Sequence, residues 1–247
     1  VGVPLRATAF LHEMLRGGGA AEEALVERLL SVPGAESRIA TNLAAVIGLA
    51  GDGRLPDVVG RIVEGWTKST RALGTRQRMR LLDSVRILAP FLPERALAVI
   101  DACIRSEPPP STSSDPLEQL VPERPDLQLG PLVELAGVLL PVQDFAARTL
   151  RALRAISEKG WHSRTGANPC ATKAAEELAY ERASSSNIEA AAAELAGWLK
   201  DERLSADSTE IVRRVALAWL SSTWRSQYFD GEALHMTEGP LPDDSFI

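Results

Sequence analysis

Apolar residues recur at three-and-four spacing along almost the whole chain, and no segment holds a period-two alternation over four to eight residues. The pattern predicts an all-α protein. Leu25, Val26, Leu29 and Leu30 form one stripe, Pro33 and Gly34 break it, and Ile39, Leu43, Val46, Ile47 and Ala50 form the next. After Gly51, Asp52 and Gly53, a third helix carries Leu55, Val58, Val59, Ile62, Val63 and Trp66, with Pro56 in its first turn. Thr75 is the expected N-cap of a helix bearing Met79, Leu82, Val85 and Leu88, which Pro90 ends. Pro93 opens a helix whose inner face is Ala96, Leu97, Ile100, Cys103 and Ile104, so Cys103 reads as a buried small hydrophobe.

Residues 106 to 116 hold Pro108, Pro109, Pro110 and a Ser/Thr run with nothing apolar to bury, and read as a loop or hinge. Asp115, Pro116 and Glu118 have the spacing of a capping box that starts a short helix, halted by Pro122 and Pro125. Further stripes run through Leu132, Leu135, Ala136 and Leu139, then through Phe145, Thr149, Leu150, Leu153 and Ile156 to a stop at Gly160. Beyond Asn168 and Pro169 come a weak helix with Ala174, Ala175 and Leu178 and a clearer one with Ile188, Ala191, Leu195 and Trp198. Asp207 and Glu210 repeat the capping-box spacing before Ile211, Val215, Leu217, Trp219 and Leu220.

Helix, short turn and helix thus alternate, at roughly 35 to 50 residues per pair, the range of HEAT-like solenoids. The expected architecture is antiparallel helix pairs stacked as an α-solenoid of about 10–12 helices. A compact helical bundle is the competing arrangement. The repeat domain is expected over residues 1–226, with 227–247 an irregular tail or the entry to a following repeat. Val1 at the start and the apolar Phe246 and Ile247 at the end point to an interior slice of a longer chain.

Composition narrows the chemistry. The 247 residues carry 27 Lys and Arg against 33 Asp and Glu, a net charge of −6, which is the wrong sign for a general polyanion binder. Two cysteines exclude a disulfide-stapled scaffold or a four-cysteine zinc site, and fit a reducing, cytoplasmic setting. No apolar run of membrane-spanning length and no signal peptide is read. The basic residues are almost all Arg, a bias that fits a GC-rich bacterial genome.

Local motifs resolve into structural readings. Gly65-Trp66-Thr67-Lys68-Ser69-Thr70 lacks the glycine before Lys and the leading strand of a phosphate loop. His12, His162 and His235 are scattered without metal-ligand spacing. His162 and Cys170 share one loop and would form a Cys-His pair only if it folded back, and no third group to orient them is evident. No catalytic, cofactor or metal site is assigned. The candidate binding face is formed by arginines: Arg148, Arg151 and Arg154 at i, i+3 and i+6, and Arg76, Arg78, Arg80 and Arg86 on another helix, of which Arg76 and Arg80 are retained with the first three. Such a groove suits an acidic partner or nucleic acid, the second disfavoured by the acidic balance and by the lack of interleaved aromatics. Trp198, Trp219 and Trp224 read as core.

Several stretches in succession resemble the helical-repeat sensor regions of large bacterial STAND-type NTPases. These are Leu88-Ala89-Pro90-Phe91-Leu92-Pro93-Glu94-Arg95-Ala96-Leu97, Phe145-Ala146-Ala147-Arg148-Thr149-Leu150-Arg151-Ala152-Leu153, Asn168 with the Ala-rich helix after it, and Trp224 through Gly231 leading to Gly239-Pro240. The resemblance covers roughly residues 80 to 240 and carries over no ATP-binding residue. It implies a nonenzymatic interaction domain that recognises a ligand, plausible as a foreign protein in antiviral defence, and relays binding to an NTPase elsewhere in the polypeptide. A nucleic-acid-binding helical repeat and a freestanding scaffold or adaptor are the alternatives.

Overall fold

The computed structural model describes residues 57–106, 124–164, 167–179, 182–201, 203–222, 226–229 and 234–237, together with Ala24. The two stripes expected between Leu25 and Ala50, the loop beyond Ser106 and the short helix opened by Asp115 lie outside the described residues. The chain divides into two compact units, Val1–Leu139 and Leu140–Ile247.

In the first unit, α1 (Asp57–Ser69) buries Val59, Ile62, Val63 and Trp66. The Ser69 and Thr70 hydroxyls both donate to the Trp66 carbonyl, and a 3-10 turn over Thr70–Ala72 ends the run. The next helix, α2 (Thr75–Leu88), is capped one residue earlier than the sequence suggests. Gly74 stands extended at the cap and donates its N–H to Gln77 Oε1 at 3.2 Å, while Thr75 is buried inside the first turn. Pro93 begins α3 (Pro93–Arg105), which turns Ala96, Leu97, Val99, Ile100 and Cys103 inward. A 3-10 turn over Pro125–Gln128 leads into α4 (Leu129–Leu139), apolar on nearly every side and correspondingly buried. Each helix packs on the one two places along, α1 on α3 and α2 on α4, while α3 also touches α2 and α4.

The second unit holds α5 (Ala146–Ser157), α6 (Pro169–Glu177), α7 (Ser185–Leu199) and α8 (Ala206–Ser222), again with α5 on α7 and α6 on α8, while α5 also touches α6 and α8. Left-handed Gly160, at φ 66°, stops α5, a backbone conformation glycine adopts without side-chain strain. Asn168 caps α6, accepting from the N–H groups of Cys170 and Ala171 at 3.1 and 3.3 Å. Its amide donates to Ser157 Oγ at 2.8 Å and to the Asp207 carbonyl at 3.2 Å, so one buried side chain ties the ends of three helices. Ser184 caps α7. At α8 the cap is Ser205, whose hydroxyl accepts from the Ser208 N–H, and the expected cap Asp207 lies within the first turn.

The bonds between helices of this unit show a register. Leu140 accepts from Asn187, Arg151 meets Glu194 and Arg154 meets Asp201, separations of 47, 43 and 47 residues. Early residues meet early ones and late meet late, so α5 and α7 lie side by side in parallel. Asn168 to Asp207, Thr172 to Arg214 and Leu178 to Trp219 give α6 and α8 the same relation at separations of 39, 42 and 41.

The described residues are therefore predominantly helical, as the periodicity implies. In the tail, Ser226–Phe229 (β1) and Leu234–Thr237 (β2) pair antiparallel, with Tyr228 opposite His235. Strands of four residues are too short for alternation to stand out against the helical pattern. No helix among the described residues is long and apolar enough to cross a membrane.

Candidate interaction surface

The five arginines of the candidate face fall in different units: Arg76 and Arg80 on α2, and Arg148, Arg151 and Arg154 on α5. On α2, Arg76 and Arg80 are exposed, and Arg86, at 4.0 Å from Glu134, is exposed too. Arg78, between them in sequence, points the other way and is wholly buried. Its Nε donates to the Leu73 carbonyl at 2.9 Å and its Nη1 to the Ser106 carbonyl at 2.6 Å. The cation thereby satisfies a carbonyl at the negative end of α3.

Two of the α5 arginines, Arg151 and Arg154, lie against α7 in a network of matched charge. Arg148 stacks over Phe145, 5.0 Å from the ring centre. Arg151, 62% exposed, keeps its Nε on Glu194 Oε2 at 3.1 Å, and the other oxygen of Glu194 accepts the Trp198 indole N–H at 2.8 Å. Arg154 lies over the Trp198 ring at 5.3 Å and bonds two carboxylates, Glu158 at 2.8 Å and Asp201 at 3.1 Å. Glu158 and then Asp201 raise the Arg154 pKa above the usual guanidinium value, and the Arg203 N–H followed by Arg154 lowers that of Asp201. The indole that read as core is buried in its ring and polar at its edge.

The sequence placed the three arginines on one helical face. It did not point to Glu194, Trp198 or Asp201, which lie 43 to 47 residues away from their arginine partners. Only the repeat period, applied as a contact rule, would have found them.

The other candidate chemistry resolves as follows. Lys68 belongs to α1 and pairs with Glu64 at 3.1 Å, within a continuous helix that includes Gly65. His162 is buried with its Nε2 2.9 Å from Asp207 Oδ1. Cys170 is fully enclosed, and burial, reinforced by the Asp207 charge, pushes its thiol up to about 12. At neutral pH it is a thiol and not a nucleophilic thiolate. His235 lies in β2, and His12 and Trp224 lie outside the described residues. Among the described residues no group of three His, Cys, Asp or Glu side chains could hold a metal ion. Comparisons with protein families, with curated proteins and with solved structures found no match to this chain.

Proposed function

We propose that this chain is a nonenzymatic helical-repeat interaction domain, a segment of a larger cytoplasmic STAND-type protein that senses a protein partner in antiviral defence. In this reading each unit is a short stretch of α-solenoid. The observation that carries it is the register of the second unit, in which like helix meets like helix at 39 to 47 residues. That is the length of a HEAT-like repeat, and stacked repeats present extended surfaces for protein recognition. The α5–α7 network supports a protein partner over a polyanion. Arg151 and Arg154 already hold carboxylates that a phosphate would have to displace, whereas Arg and Trp held in fixed positions are the residue types that anchor protein interfaces.

The gene tests the reading. An open reading frame with a strand, Walker loop and helix upstream and more helix pairs downstream is the expected result. A start codon directly before Val1 and a stop directly after Ile247 would remove the STAND assignment and leave a freestanding scaffold. ATP hydrolysis by the purified chain would overturn the nonenzymatic assignment.

A further inference from the structure

Carboxylates pair with basic side chains on most of the helices, but not at the start of α2. Lys68 and Arg95 share Glu64, Arg105 has Asp101, Arg151 has Glu194, Arg154 has Glu158 and Asp201, and Glu210 takes both Arg213 and Arg214. Lys159, Lys200 and Arg203 each adjoin a carboxylate in sequence, Glu158, Asp201 and Glu202. Between Glu64 and Asp83, by contrast, the chain carries Lys68, Arg71, Arg76, Arg78 and Arg80 and no carboxylate. Lys68 reaches back to Glu64 and Arg78 turns into the core. Arg71, in the 3-10 turn before α2, and Arg76 and Arg80 on α2 are exposed. Among the described residues, neither Arg71 nor Arg80 lies within ion-pair distance of a carboxylate.

The helix itself adds to this charge. The first turn of a helix carries a positive partial charge, which acidic side chains offset and basic ones reinforce. Helix α2 has no acidic residue in its first turn and holds Arg76 there instead. Local stability gains nothing from that placement, and a local rule broken without compensation is characteristic of recognition sites. Arg76 and Arg80 share one face, with Cβ atoms about 5–6 Å apart at their i, i+4 spacing. Beneath them Arg78, buried and bonded to the carbonyls of Leu73 and Ser106, holds the helix in place.

We infer that the Arg76–Arg80 face of α2, with Arg71 at its leading end, docks an acidic segment of a protein partner whose carboxylates stand one helical turn apart. A short run of Asp and Glu supplies charge in the amount this face leaves unmatched, and Asp83, exposed further along α2, ends the positive stretch. A nucleic-acid backbone is opposed by the net charge of −6, and α2 carries no aromatic side chain on which a base could stack. The contact rests on the interaction-domain reading for its partner being a protein. It would stand in a freestanding scaffold as well, so loss of the STAND assignment at the gene and failure of the contact are separate results.

Fluorescence anisotropy on the full chain tests this, with a labelled alanine-based peptide bearing glutamates at i, i+4 spacing and a counterpart bearing glutamines. At low ionic strength the glutamate peptide should bind, more weakly as salt is added, and the glutamine peptide should not. Arg76→Glu with Arg80→Glu should weaken binding by about tenfold or more. Lys159→Glu with Lys200→Glu changes the net charge equally and should weaken it by no more than about twofold. All four side chains are exposed, so both double variants should keep the wild-type circular dichroism. No binding of the glutamate peptide, equal binding of the two peptides, or equal loss in the two double variants would overturn the proposal. So would DNA that binds more tightly than the peptide and is released by Arg76→Glu with Arg80→Glu, since the face would then be a nucleic-acid site.

Discussion

Arg78 shows how little a residue type says about its place. Four arginines crowd a short stretch of α2, and the one that is buried serves the backbone, holding the carbonyls of Leu73 and Ser106. Its removal strands both acceptors and opens space in the core. Arg78→Ala should therefore cost about 3 kcal/mol, read from the urea midpoint at unchanged slope. The cysteines make a second case. Burial pushes Cys103 up to about 11, despite the opposing charge of Arg78, and Cys170 up to about 12. At about pH 8 neither thiol should react with a charged disulfide reagent in the native protein, and both should react once the chain is denatured. Asn168 is the third, since it joins a helix cap to two long-range bonds. Asn168→Ala should destabilise the protein by about 2 kcal/mol in the same urea titration.

At the scale of elements, local chemistry brought the helices to within a few residues of their observed ends. Thr75 and Asp207 have good capping side chains, but Gly74, one residue earlier, and Ser205, two residues earlier, cap instead, because their backbone or side chain already satisfies the first turn. Within α8, Glu210 accepts from both Arg213 and Arg214, which together hold its carboxyl down at about 2 against an ordinary 4.5. A carboxyl depressed on folding stabilises the native state above its unfolded pKa, and that stabilisation drains away as pH falls through the folded value. Stability should therefore decline between pH 4.5 and about 2 in part through this residue. Glu210→Gln should lose less stability over that window than the wild type, measured by chemical denaturation at each pH.

For the molecule as a whole, a net charge of −6 and arginines already engaged by carboxylates predict no retention of duplex DNA at physiological salt in a mobility-shift assay. Tight binding that persists at that salt would restore the nucleic-acid reading. Helical periodicity, prolines and caps act within one turn, so the sequence alone determined where helices run, where most of them break and which stripes are apolar. It also spaced the helix pairs, at roughly 35 to 50 residues per pair. Tertiary packing decided the rest: that Arg78 turns inward, that Glu194, Trp198 and Asp201 hold the α5 arginines, and that the outer face of α8 exposes leucines. Those outcomes depend on which helix lies beside which, through contacts 28 to 47 residues apart. Local spacing carries no information at that distance, and so the surface emerged only once the helices were packed.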